Sequence, residues 1–160
     1  MSVTLIPMTQ DDFAHYTSKS ILEYAKEKTE AGTWTKEEAT EKSEKEFEKL
    51  LPEGLDSKHQ YLYAITKIED NTKLGWIWYH FNPEHSQKEA FIYDFLIFDE
   101  LQGKGYGKAA LEALDDQALA NGIKKISLHV FAHNKRAIRL YEKFNYETKD
   151  MIMSKWLNKQ

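Results

Sequence analysis

The 160-residue sequence contains no cysteine, which excludes disulfides, thiol catalysis and thiolate metal sites. A reducing cytoplasm is therefore the expected home. Glycine and proline are scarce, at 7 and 3 residues, and no linker rich in either divides the chain. It reads as one domain over 1–160, long enough to bury a core unaided. Arg136 and Arg139 are the only arginines and share one short segment, so an arginine-rich patch is excluded. The net charge of −4 has the wrong sign for a broad nucleic-acid surface. No apolar run approaches the ~20 residues needed to cross a bilayer, so no membrane partner is expected. The start, Met1 to Pro7, lacks the basic and apolar regions of a signal peptide. What is present is 41% hydrophobic and 30% charged, the balance of a soluble globular domain.

Val3–Pro7 reads as a strand. Thr9 with Asp12 forms a variant capping box that opens a helix carrying Phe13, Tyr16, Ile21 and Tyr24, stopped by Gly32. Thr35 with Glu38 repeats the capping spacing, with Trp34 at the staple position. That second helix runs to about Leu51, before Pro52 and Gly54. Tyr61–Ile68 and Leu74–Phe81 are β-branched and aromatic runs joined by a turn over Glu69–Lys73. Alternation places Trp76, Trp78 and His80 on one face and Ile77, Tyr79 and Phe81 on the other. Ala90–Phe98 is a third, buried strand, with Phe91, Tyr93, Phe95 and Ile97 on one face and Asp94 on the other. Lys108–Asn121 follows as a helix closed by Gly122, then a strand at Lys125–Ala132. Asn134 begins a helix with Ala137, Leu140, Tyr141 and Phe144 along one stripe. Tyr146–Trp156 is expected to form a terminal strand or hairpin. This order describes an α/β domain around a mixed sheet.

Gln102-Gly103-Lys104-Gly105-Tyr106-Gly107-Lys108 lies between the buried strand and a helix. Free N–H groups and the helix dipole make such a turn an anion site. Glycine lets the backbone approach the anion closely. Lys104 and Lys108 add charge to the same end. A P-loop needs Ser or Thr where Ala109 stands, and a dinucleotide fingerprint needs glycine where Lys108 stands. Both fail, which counts against a nucleotide phosphotransferase. Gln-x-x-Gly-x-Gly remains, and on its own a plain tight turn would also account for it.

The surroundings narrow this. The strand, the glycine loop on Gln102, Gly105 and Gly107, the helix, a second strand, and then Asn134-x-x-Ala137-x-x-Leu140-Tyr141-x-Lys143 together resemble the GNAT superfamily of acetyl-CoA-dependent N-acetyltransferases. The resemblance is close over 90–147, the acetyl-CoA-binding core, and looser upstream. Gln102 replaces the commoner Arg, and Asn145-Tyr146 replaces Gly-Phe. The resemblance implies a single-domain α/β (α+β) fold. Its mixed, mostly antiparallel sheet has a splayed central strand pair and helices on both faces.

It further implies that acetyl-CoA is the co-substrate, its pyrophosphate on the backbone of Gly103, Lys104, Gly105, Tyr106, Gly107 and Lys108. The pantetheine arm would bond main-chain groups near Ile97 and Phe98, and Asn134 would meet it from the far side. Asn134 also reads independently as a helix N-cap. Tyr141 matches the tyrosine that protonates the departing CoA sulfur, although its stripe also suits a core residue. The acceptor is an amine, of a small molecule or of a peptide or protein. Trp34, Trp76, Tyr93 and Asp94 are candidate acceptor-side residues. Glu23, Glu27 and Glu30 recur along the first helix, where they suit either a cationic amine or a solvated face. As base, Asp94 competes with Glu89, and Tyr93 or His80 could order a water. Asp94 could equally bond a backbone N–H, so the base stays unassigned. His129 and His133 lie about 13 Å apart along a strand, too far to share one ion, and no metal is expected. A homodimer is compatible with all of this. The alternative to an enzyme is a non-catalytic acyl-CoA-binding sensor or assembly module.

Overall fold

The computed structural model describes residues 2–158. In chain order its main elements are β1 (Val3–Pro7), α1 (Gln10–Glu30), α2 (Ala39–Leu50), β2 (Gln60–Lys67), β3 (Lys73–Phe81), β4 (Glu89–Ile97), α3 (Tyr106–Ala120), β5 (Lys125–Leu128) and α4 (Lys135–Lys143). Thr9 caps α1 reciprocally. Its hydroxyl accepts from the Asp12 N–H at 3.0 Å, and the Asp12 carboxylate accepts from the Thr9 N–H at 3.0 Å. Asp12 also pairs with Lys73 of β3, so the cap fastens α1 to the sheet. The second helix starts later than its capping pattern implies. Only half of that box forms, the Thr35 N–H donating to Glu38 at 2.7 Å, and α2 begins at Ala39.

The sheet runs β1-β2-β3-β4-β5; the first three pairings are antiparallel and β4–β5 is parallel. Helices α1 and α2 cover one face, over Leu62, Ala64, Trp76 and Trp78. Helix α3 covers the other, over Ile65, Ile77, Tyr79 and Ile92, and α4 adds Leu140, Tyr141 and Phe144 to that side. The two faces of β3 are those its alternation predicts. At Gly75 a Cβ would sit 2.0 Å from the Leu96 carbonyl oxygen, so glycine is required where β3 and β4 press together.

The alternation predicted for β4 does not hold. Trp78 lies opposite Asp94, while Tyr79 lies opposite Ile92, leaving Tyr93 as an extra residue in a β-bulge. Phe95 and Ile97 therefore pack toward α3. Tyr93 stays on the other face with Phe91, its ring 4.8 Å from Trp78 and 5.1 Å from Phe91. Pairing of β4 with β5 covers only Glu89–Ile92 and stops at the bulge. The fifth strand thus ends at Leu128 rather than Ala132, and the two strands part beyond it, as the splay requires.

The expected strand or hairpin over Tyr146–Trp156 is absent: residues 146–158 carry no regular secondary structure. Asn145 before them holds φ at +68°, the left-handed turn that Asn tolerates. No helix is long and apolar enough to cross a membrane among the described residues.

Candidate active site

The glycine loop hangs from the end of β4 by a side-chain stitch. Gln102 Nε2 donates to the Ile97 carbonyl at 2.9 Å, and Arg136 Nη1 donates to Gln102 Oε1 at 3.3 Å. Gly103 and Gly105 hold φ at +78° and +87°, a region that disfavours side chains. Gly105 is the N-cap of α3 and no side chain caps it. No N–H from Gly103 to Lys108 finds a protein acceptor among the described residues. The free donors and the helix dipole point the same way, with Lys104, Lys108 and Arg136 nearby: this is a cradle for an anion. Arg136 was not singled out by its motif position; its approach to the loop comes from the packing of α4. That packing is close. A Cβ on Gly107 would lie 3.2 Å from Leu140 Cδ2 and 3.9 Å from Ile97 Cγ1.

At the end of β4, several backbone groups are already engaged. The Ile97 carbonyl accepts from Gln102, the Phe98 N–H donates to Leu74 at 2.9 Å, and the Phe98 carbonyl accepts from Leu101 at 2.8 Å. The open edge is the splayed part of β4 ahead of them. Asn134 Oδ1 accepts from the Ala137 N–H at 3.2 Å, the N-cap its sequence position indicates, and its amide nitrogen has no protein partner among the described residues.

Asp94 lies opposite Trp78 and points beneath α1. Tyr16, fully buried on α1, donates its hydroxyl to Asp94 Oδ2 at 2.7 Å. Desolvation raises the Asp94 pKa, and the Glu27 charge adds to this; the Tyr16 and Phe95 N–H bonds oppose but do not cancel it. Tyr141 belongs to the α3-side core, its ring 6.3 Å from Phe95 and 5.5 Å from Tyr146. Burial, followed by the Asp94 charge, pushes its phenol well above the ordinary tyrosine range. The Asp94 charge thus reaches the Tyr141 phenol and helps it keep its proton. Glu89 is at the far end of β4, bonded by the Ser127 hydroxyl with His85 and Lys125 at 3.8 and 4.0 Å. His80 has its ring 6.1 Å from that of His59, and burial depresses its pKa.

Trp34 and Tyr93 fall on one aromatic chain. Trp34 meets Tyr24 edge-on at 5.6 Å, Tyr24 meets Phe47, Phe47 meets Trp78, and Trp78 meets Tyr93. The Lys28 ammonium lies over both Tyr24 and Trp34, at 5.5 and 5.3 Å. Trp76 is placed differently: it is buried between Tyr16 and Phe98 as part of the α1-side core. Phe131, past the end of β5, reaches Tyr24 from the opposite wall. Next to it His133 Nε2 sits 2.6 Å from Glu27 and 3.6 Å from Glu30. These three side chains bring their donor atoms within 4.8 Å of one another, close enough to share a cation. The sequence pairing of His133 with His129 gave no sign of it, because the true neighbours lie on α1. Glu23 is exposed on the same helix.

The model of the acetyltransferase (GNAT) family matches residues 20–146, and the chain belongs to that family. Among curated relatives, it is 46% identical to the uncharacterized N-acetyltransferase YycN of Bacillus subtilis, over 98% of this chain and 100% of that one. It is 41% identical to the uncharacterized N-acetyltransferase YdgE of the same organism, over 98% and 99%. A crystal structure of YycN shares the fold with a TM-score of 0.95 at 45% identity, covering 99% of this chain and all of that one. The family uses acetyl-CoA as co-substrate, and the two relatives identify the chain as an N-acetyltransferase.

Proposed function

We propose that the chain moves the acetyl group of acetyl-CoA directly to a primary amine, with Tyr141 as general acid and Asp94 as the group that takes the amine's proton. The observation that carries this reading is the unpartnered run of N–H groups from Gly103 to Lys108 at the start of α3, which suits a pyrophosphate. Arg136 and the two loop lysines supply the countercharge. The splayed edge of β4 offers the pantetheine arm a strand-like partner, and Asn134 has a spare amide toward it.

In the reaction the amine lone pair forms a bond to the thioester carbonyl carbon, and the C–S bond breaks. The sulfur leaves with the proton of the Tyr141 hydroxyl, and the proton shed by the newly acylated nitrogen restores the phenol. A phenol held protonated suits that role. The amine must first be neutral, which costs about 4.6 kcal/mol at pH 7 for an alkyl amine of pKa ~10.4. Asp94, with its raised proton affinity, can take that proton directly or through a water. Glu89 sits at the opposite end of β4 from the glycine loop, which leaves Asp94 as the better base. The acceptor would enter on the Tyr93 side of the contact that Tyr24 makes with Phe131. The Tyr24 and Trp34 rings already hold the Lys28 ammonium, and the Glu27 and Asp94 charges favour a cationic amine.

Thiol release from acetyl-CoA across a panel of primary amines tests the proposal. Turnover that falls with Tyr141→Phe supports it. CoA binding without turnover on any amine, unaffected by Tyr141→Phe, would make the chain a sensor instead.

A further inference from the structure

Beside the contact between Tyr24 and Phe131, three side chains from two distant segments converge. Glu27 and Glu30 stand three residues apart on α1 and so project from one face of the helix. His133 arrives from the segment between β5 and α4, 106 residues along the chain from Glu27. Its Nε2 is 2.6 Å from Glu27 Oε2 and 3.6 Å from Glu30 Oε2, and all three donor atoms lie within 4.8 Å of one another. The imidazole stacks on Phe131, 5.5 Å away and 14° from parallel, and Phe131 in turn rests against Tyr24. The ring plane is therefore fixed by packing, with its nitrogen already aimed at the carboxylates.

Charge at this place calls for a cation. Two carboxylates share one imidazole, and no lysine or arginine pairs with either of them among the described residues. Lys28, the next residue after Glu27, is turned instead to the rings of Tyr24 and Trp34. The side chains of Glu27 and His133 are 35% and 30% exposed, and that of Glu30 is 57% exposed. An ion can thus enter from solvent and keep a water as a further ligand.

We infer that Glu27, Glu30 and His133 form a binding site for one divalent transition-metal ion of the zinc class, which clasps α1 to the segment leading into α4. Two donors each ~2.1 Å from one ion stand no more than about 4.2 Å apart. Both His133 contacts are inside that limit, and rotation of the exposed Glu30 carboxylate adjusts the remaining edge. The donor set names the class of metal: an imidazole nitrogen suits zinc and its neighbours, whereas magnesium and calcium take oxygen ligands. Three protein ligands leave the fourth tetrahedral position to water. The ion takes the place of the proton that bridges Nε2 and Glu27, so protons are released as it binds. His133 immediately precedes Asn134, the N-cap of α4, so the clasp holds α1 against the start of that helix. The inference does not rest on the chemistry proposed above.

Zinc added to the full-length chain after dialysis against a chelator, followed by calorimetry and by competition with a chromogenic chelator, tests the site. One ion per chain is expected, held at least about tenfold more tightly than by free imidazole, and Glu27→Gln, Glu30→Gln and His133→Ala should each weaken it by about tenfold or more. His129→Ala is the control, because His129 meets Phe131 edge-on and pairs with neither glutamate among the described residues; it should leave the affinity unchanged. Cobalt should give a visible absorption band that His133→Ala abolishes. Zinc should also raise the melting temperature of the unsubstituted chain but not of Glu27→Gln, and magnesium should do neither. Zinc held no more tightly than by free imidazole, magnesium bound equally well, or an affinity that follows His133 but neither glutamate (an adventitious ion only) would each overturn the inference.

Discussion

The Tyr16 hydroxyl meets the Asp94 carboxylate at 2.7 Å across 78 residues of sequence, joining a helix on one face of the sheet to the bulged strand beneath it. Tyr16 is 1% exposed, so the bond fixes where Asp94 points. The bulge at Tyr93 is what brings Asp94 to that face opposite Trp78.

Asp94→Asn should separate chemistry from folding. Asn keeps an oxygen for the Tyr16 hydroxyl but cannot accept a proton, so kcat/KM should fall by roughly 10²–10⁴-fold. The wild-type rate should fall as the pH drops through the Asp94 pKa, which burial places above its ordinary value of 3.8; the variant should lose that dependence. Stability should move the other way. A carboxyl whose folded pKa is raised is a liability while ionised, and the liability disappears as the pH falls and the proton is taken up. At pH 7 the variant should therefore melt at the same temperature or higher. A large loss of stability with unchanged rate would make Asp94 a purely structural residue.

Tyr141→Phe should lower kcat by on the order of 10²-fold or more with acetyl-CoA affinity unchanged, as read by single-turnover kinetics and calorimetry. Because burial and the Asp94 charge both push the phenol up, no alkaline loss of rate from Tyr141 should appear before pH 10. The same variant removes a hydroxyl without opening a cavity, so its melting temperature should change little.

The parts legible in the sequence are those governed by local spacing. Thr9–Asp12 closes a capping box, Asn134 caps α4, and Trp76 and Trp78 face opposite to Ile77 and Tyr79. The glycine loop was equally visible, since its conformation needs Gly103 and Gly105 at positive φ. The bulge was not, because it lies in the pairing of β3 with β4 and leaves no glycine or proline mark at Tyr93. The early end of β5 follows from that bulge. The expected strand or hairpin over Tyr146–Trp156 does not form: its apolar composition suits a strand, but a strand also needs an edge to pair with, which composition does not report. Arg136 beside Gln102, and His133 beside Glu27, arise from contacts between distant segments that no periodicity reports.

Asp12 predicts a stability effect of the opposite pH sign. Burial alone would raise its pKa, yet the Lys73 pair and the Thr9 bonds outweigh burial and lower it below 3.8. Its contribution is therefore present above the unfolded value and is lost as the pH falls through the folded one. Asp12→Asn should cost about 1–2 kcal/mol at pH 7, and the difference from wild type should shrink as the pH falls below 3.8 and through the lowered folded value. Urea unfolding across that range measures it.

Gly107 couples the anion cradle to the proposed acid. Added to this helix, a methyl group would press on Leu140 Cδ2 from 3.2 Å, and Leu140 immediately precedes Tyr141 on α4. Gly107 lies inside α3 rather than at one of the positive-φ positions, so backbone strain is not the issue and only the contact with α4 changes. Gly107→Ala should consequently push the Leu140 side chain aside by a few tenths of an ångström and lower kcat, while any effect on acetyl-CoA affinity stays smaller. Shortening the neighbour should restore the fit: Leu140→Val in the Gly107→Ala background should recover part of the rate, although Leu140→Val alone costs stability by opening a small cavity. A double-mutant cycle on kcat and on unfolding free energy reads this coupling. Strictly additive effects would mean that the loop and the tyrosine helix do not act through this contact.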